Sequence, residues 1–242
     1  MQIRNNILKI VLVSLLALGF TACDDNESSS TINSEKKVKL PKPEWDSRLS
    51  NVEPDTGMWY QLADDDEIAA SNIGVIYSDK IKDYEKAIEW YLYSDSIKTD
   101  ASNLFNLALN YDENKNYNSA IKYYKKAFLL GKTKSAHNLG LLYEEVLKDN
   151  QNAVKWYKKA IERENLDSLK NLGLIYHNNL KDDVKASAYY IALIDEKYSK
   201  DEVLSLLKNK WKLSNETIKK GYELQLKMEG LPKRYTGDLG LK

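Results

Sequence analysis

A short triplet recurs four times through the middle of the chain. It reads Asn72-Ile73-Gly74, Asn106-Leu107-Ala108, Asn138-Leu139-Gly140 and Asn171-Leu172-Gly173, with spacings of 34, 32 and 33 residues. Three residues after each triplet stands a tyrosine: Tyr77, Tyr111, Tyr143 and Tyr176. A second register, Ala87, Ala120, Ala153 and Ala186, has a spacing of 33 throughout. Four residues beyond each alanine comes a further tyrosine, Tyr91, Tyr124, Tyr157 or Tyr190. A fixed period in this range marks a supersecondary unit that cannot bury its apolar face alone and stacks on copies of itself. Such arrays present a long surface and work chiefly by binding.

The unit is a helix pair. In the third repeat Ala136, Leu139, Gly140 and Tyr143 fall at i, i+3, i+4 and i+7, one stripe of a helix. Ala153, Tyr157 and Ala160 form a matching stripe on the next helix, with Asp149 and Asn150 between them as turn or N-cap residues. Gly, Ala, Gly and Gly at one position imply close approach between helices, because glycine there costs about 1 kcal/mol of helix stability against alanine. No proline lies between Pro54 and Pro232, which suits an unbroken run of helices. The reading is an all-α solenoid of about four hairpins over residues 58–200. Residues 201–230 form a helical cap, with Ser214 and Glu216 starting a helix in which Ile218, Tyr222 and Leu226 recur every four residues. Residues 231–242 form a loose tail.

The N-terminal end reads differently. Arg4 and Lys9 precede an apolar run from Ile10 to Phe20, too short for a comfortable membrane span and of signal-peptide proportions. Phe20-Thr21-Ala22-Cys23 resembles a bacterial lipobox, with Phe20 in place of the usual aliphatic residue. The resemblance implies that residues 1–22 are removed and that Cys23, the chain's one cysteine, carries lipid. An ordinary cleaved signal with an incidental cysteine is the alternative. Residues 23–57 read as a lipidated flexible tether, polar at first and then broken by Pro41, Pro43 and Pro54, with Trp45 able to dock on the repeats. The expected location is the bacterial envelope, facing the periplasm. Asp24-Asp25 resembles an inner-membrane retention signal. Without residues 1–22 the chain has 34 basic and 36 acidic residues, a net charge of −2. That balance gives no electrostatic basis for nucleic-acid binding.

The repeats resemble the tetratricopeptide class, and in particular its Sel1-like branch, over about residues 64–197. The likeness rests on the Asn-Leu-Gly-x-x-Tyr run and on Trp156-Tyr157-Lys158-Lys159-Ala160 with its counterpart Tyr123-Tyr124-Lys125-Lys126-Ala127. Trp90-Tyr91 and Tyr189-Tyr190 are looser copies. The Gly-x-Gly loop of many Sel1 repeats is absent, with Ser78 to Lys82 in its place, and so is the inter-repeat proline of many tetratricopeptides.

On an ideal helix each triplet asparagine lies about 150° from its core stripe. Asn72, Asn106, Asn138 and Asn171 would form a ladder along the concave groove that the resemblance implies, each amide able to donate to and accept from a peptide backbone. The alternative is that they bond a neighbouring repeat. Lys134, His137 and Lys170 should lie nearby and suit a carboxylate, or else belong to a solvated face shared with Glu144 and Glu145. Asp64-Asp65-Asp66-Glu67 reads as an acidic helix start, since it lacks the spacing and glycine of a calcium loop. His137 and His177 have no metal-ligand partner at helical spacing, and no phosphate-cradling glycine loop is present. Neither a cofactor nor a small-molecule substrate is expected, and no catalysis. The expectation is a lipid-anchored binder of a protein or peptide. The resemblance also implies a narrower role, immunity towards a secreted toxin such as a type VI lipase; an alternative of a different class is a scaffold or regulator of envelope assembly.

Overall fold

A computed structural model describes residues 37–241, and residues 38–242 form one compact unit. The leader, Cys23 and residues 24–36 lie outside the described residues. Among the described residues a short 3-10 turn, Ser47–Asn51, precedes eleven α-helices. Helix α1 is Thr56–Leu62. Four hairpins follow: α2 Glu67–Val75 with α3 Tyr84–Ile97, α4 Ala101–Glu113 with α5 Tyr117–Leu129, α6 Thr133–Leu141 with α7 Asn150–Ile161, and α8 Leu166–Asn178 with α9 Asp183–Ile191. Helices α10 Lys200–Ser205 and α11 Asn215–Lys227 close the array. Each helix packs on the next from α2 through α9, and α11 lies along α9. The all-α solenoid of four hairpins with a helical cap is therefore the architecture of this unit.

Capping explains why the helices start where they do. Asp66, Asp83, Asp100, Asn116, Asp149, Asn165, Asp182, Ser199 and Ser214 each accept a hydrogen bond from an N–H of the first turn they precede. These side chains satisfy donors that have no partner within the helix. The Asp64–Glu67 run is accordingly a helix start, with Asp66 bonded to the N–H groups of Ile68 and Ala69.

The turn inside each hairpin follows one design. The N–H of the cap residue returns to the carbonyl of the first-helix tyrosine: Asp83 to Tyr77, Asn116 to Tyr111, Asp149 to Tyr143 and Asp182 to Tyr176, at 2.8–2.9 Å. The residue just before each cap is left-handed, and every time it is a lysine: Lys82, Lys115, Lys148 and Lys181, with φ of 56–60°. The second hairpin closes this turn with one residue fewer than the other three. In the first and third, the extra residue widens the helix end into π-type turns over Ile76–Ile81 and Leu142–Val146.

The small residues of the first helices meet the tyrosines of the second. A Cβ built on Gly74, Gly140 or Gly173 would approach the ring of Tyr91, Tyr157 or Tyr190 to 2.9, 2.5 or 2.6 Å. Those rings, with Tyr124, are all but fully buried. So are their neighbours Trp90, Tyr123, Trp156 and Tyr189, so both members of each aromatic pair belong to the core.

Three stretches differ from the sequence reading. Residues 38–57 were expected within a tether, yet from Val38 onward the chain is folded against the first hairpin. Leu49 is fully buried, the Leu40 N–H donates to Ser96 Oγ, and Arg48 pairs with both Asp46 and Asp83. Trp45 does dock, edge-on against Tyr60, which continues through Trp90 to Tyr93. Residues 231–241 are held as well: Leu231 and Leu239 are buried, and the Gln225 amide donates to the Tyr235 carbonyl at 2.7 Å. In α11 the buried stripe is Ile218, Gly221 and Gln225, with Tyr222 partly buried against the core and Leu226 exposed. Gly221 sets this stripe, because a Cβ there would stand 2.5 Å from the Ser187 side chain and no larger residue lets α11 lie so close on α9.

Candidate functional site

In α2, α4, α6 and α8 one side lies opposite the core stripe. The four triplet asparagines are half-buried on this side. Two of them are engaged with the preceding hairpin. The Asn171 amide donates to the Tyr157 hydroxyl at 3.5 Å, and the Asn138 amide acts on the Tyr124 hydroxyl in the same way. The side-chain amides of Asn72 and Asn106 bond nothing among the described residues.

Each of those tyrosine hydroxyls also meets an acid at the C-terminal end of its own first helix. Tyr157 donates to Glu144 Oε2 at 2.7 Å and Tyr124 to Asp112 Oδ2 at 3.5 Å, while Asp79 acts on Tyr91 electrostatically. Burial raises the pKa of Asp112 and of Glu144, and the adjacent Glu113 or Glu145 raises it further. In the fourth hairpin the equivalent residue is His177, which bonds Asp183 and lies stacked 4.0 Å from Trp211 of the closing segment.

The basic candidates are not gathered into one site. His137 bonds the fully buried Ser168 of the next hairpin through Nδ1 at 2.8 Å, and burial lowers its pKa. It works as a neutral bridge between hairpins. A serine with no exposure cannot attack a substrate, so the nearby Ser168, His137 and Asp167 have no nucleophile to offer. Lys170 is half-buried, close to Asp167, which pairs with Lys197. Lys134 is exposed at the N-terminal end of α6. Among the described residues no three His, Cys, Asp or Glu side chains group as a metal ion would require.

Two features of this face escaped the sequence reading. One is an aliphatic line, Val75, Leu109, Leu141 and Leu174, each partly exposed. Each residue directly follows the small residue of the triplet, so it shares the 34, 32 and 33 spacing that marked the repeat. The other is the acid row of Asp79, Asp112 and Glu144, spaced by 33 and 32. Attention to the repeated core residues hid both.

Residues 69–94 and 133–165 match the family model of the Sel1 repeat, and residues 101–130 that of the tetratricopeptide repeat. No curated protein sequence matches the chain. Among solved structures, a protective antigen of uropathogenic Escherichia coli strains with an SLR fold is 24% identical, with a TM-score of 0.52 over 70% of this chain. This chain spans only 39% of that one. A Sel1 repeat protein of Oxalobacter formigenes is 21% identical, with a TM-score of 0.46 over 72% of this chain and 83% of its own. An immunity protein of Pseudomonas aeruginosa is 16% identical, with a TM-score of 0.36 over 75% and 85%. The last two scores are too low to establish a shared arrangement, and the first establishes the fold alone. The matched segments follow the geometry: both Sel1 matches fall on hairpins with glycine and the wider turn, and the tetratricopeptide match falls on the hairpin with Ala108 and the shorter turn. Residues 69–94 and 133–165 thus carry Sel1 repeats, and residues 101–130 carry a tetratricopeptide repeat.

Proposed function

We propose that this protein binds a protein or peptide partner along the open face of α2, α4, α6 and α8, without catalysis, while attached to the envelope membrane through Cys23. A repeat fold of this kind supports protein–protein interaction in general. The observation that carries the choice of face is the alignment of partly exposed aliphatic and amide side chains down it at the repeat spacing, with the Asn72 and Asn106 amides unengaged among the described residues. Backbone-directed amides beside apolar contacts suit an extended segment more than a rigid polar ligand.

A photo-crosslinking residue placed at Asn72 or Asn106 in the producing cell tests this. Crosslinks to a discrete protein are expected there and not from Lys158, which is exposed on α7 of the opposite layer. Equal labelling at all three positions would refute the choice of face. Cys23→Ser should move the protein from the membrane to the soluble fraction. A single tight partner encoded beside the gene would narrow the reading to immunity towards a secreted toxin. Several partners of modest affinity would make it an assembly scaffold.

A further inference from the structure

The geometry points to a partner segment that carries lysine or arginine between apolar residues, an inference that rests on the reading of the open face as a binding surface. The fold uses acids where helix dipoles favour them, at the N-caps Asp66, Asp83, Asp100, Asp149 and Asp182. At the ends of the first helices it also holds five where the dipole opposes them. Asp79, Asp112, Glu113, Glu144 and Glu145 lie at the C-terminal ends of α2, α4 and α6, beside carbonyls that already carry partial negative charge. None pairs with lysine or arginine among the described residues. The lysines of the turns do not compensate: Lys148 is the weakest influence on Glu144, and no lysine acts on Asp112. Lys134 is eleven residues from Glu145 along the helix, about 16 Å at 1.5 Å per residue. That exceeds the Debye length of about 8 Å at physiological salt.

The acid row runs alongside Val75, Leu109 and Leu141, so charge and apolar contact share one face. In hairpin four, where Trp211 of the chain itself covers the equivalent position, the acid is replaced by His177. Acids at the first-helix ends that oppose the dipole, form no ion pair among the described residues and give way to His177 where Trp211 packs complement a cationic, partly apolar strand.

The test uses two labelled peptides of about twelve residues, which extend about 40 Å at 3.3 Å per residue. One alternates leucine with lysine, the other leucine with glutamate, and each is titrated by fluorescence anisotropy into the complete protein. The lysine peptide should bind at least about tenfold tighter, and its advantage should shrink as salt rises from about 0.05 to about 0.5 M. The exposed triple variant Asp79→Asn, Glu113→Gln, Glu145→Gln should lose that advantage while melting no lower than the parent. Glu145→Lys alone, titrated in the same way, keeps the test decisive should the triple variant misfold. Equal binding of the two peptides, or unchanged binding by the variants, overturns the inference. If crosslinks at Asn72 and Asn106 persist in that case, the face still binds and only its charge preference is refuted. If the crosslinks are also absent, the binding face falls with it.

Discussion

Substituting Gly140 with alanine sets two effects of opposite sign against each other. In an unobstructed helix the change is worth about 1 kcal/mol in favour of folding. Here the new Cβ would stand 2.5 Å from Cδ1 and Cε1 of Tyr157 and 3.1 Å from Cγ. Those atoms belong to a ring with no exposure, tied by its hydroxyl to Glu144 at 2.7 Å. The ring cannot slide away without breaking that bond, and overpacking of this kind costs about 1–3 kcal/mol. Loss of a hydrogen bond to a carboxylate adds about 1.5–3 kcal/mol if the ring does move. The net expectation is a loss of about 1–3 kcal/mol, or about 2–12 °C in Tm at about 2–4 °C per kcal/mol. Thermal and urea unfolding followed by far-UV circular dichroism would read it. The control is Gly57→Ala in α1, where nothing lies within 4 Å of the added Cβ. That change should stabilise by up to about 1 kcal/mol. If Gly140→Ala is neutral or stabilising while the control behaves as expected, close approach is not what keeps glycine in the first helices.

Asp112→Asn should stabilise the protein at pH 7, because burial holds the native pKa of Asp112 above its unfolded value and so disfavours the ionised form. The advantage should fade as pH falls through that raised native pKa towards the unfolded one, where Asp112 is protonated and equally tolerated, a trend that urea titrations across pH would show. The opposite sign applies to Asp46, which Arg48 holds down to about 2. Its contribution is present above the unfolded value near 4 and is lost as pH falls towards about 2, so Asp46→Asn should narrow the difference between stability at pH 6 and at low pH. Lys148→Gly should gain up to about 1 kcal/mol, since relief of a left-handed non-glycine residue outweighs the added chain entropy, whereas β-branched Lys148→Val should lose more than about 1 kcal/mol in the same unfolding assay. Leu49→Ala empties a fully buried site and should cost about 2–5 kcal/mol, appearing first as faster proteolysis within residues 38–62.

The fold was legible because a repeat states its core four times. Tyr157 on a helical stripe could be any core residue; Tyr91, Tyr124, Tyr157 and Tyr190 at one spacing, each facing a small residue, leave one architecture that buries them all. The ends were harder to read for the same reason. Residues 38–57 and 231–241 occur once, with prolines and polar residues, and only the uncovered faces of the first and last hairpins turn Leu49, Trp45, Leu231 and Leu239 into buried contacts. The site was half legible. The asparagines could be placed on a face by helical angle, but whether an amide is free or bonded depends on how far the neighbouring tyrosine reaches, which separates Asn106 from Asn171. His137 looked like an available cation and is instead a partly buried bridge to Ser168, a distance across hairpins that no local pattern encodes.

The sequence alone determined that helical hairpins form, how many there are, which small residues face which rings and where polar caps such as Asp66, Asp149 and Ser214 start helices, because these follow from periodicity and short-range hydrogen bonding. Tertiary structure alone decided how the extra residue of the Sel1-type turns is absorbed, which end segments close the array, and which polar groups stay open on the face of the first helices. Those outcomes depend on distances between elements far apart in the chain, and such distances are set only when the hairpins pack.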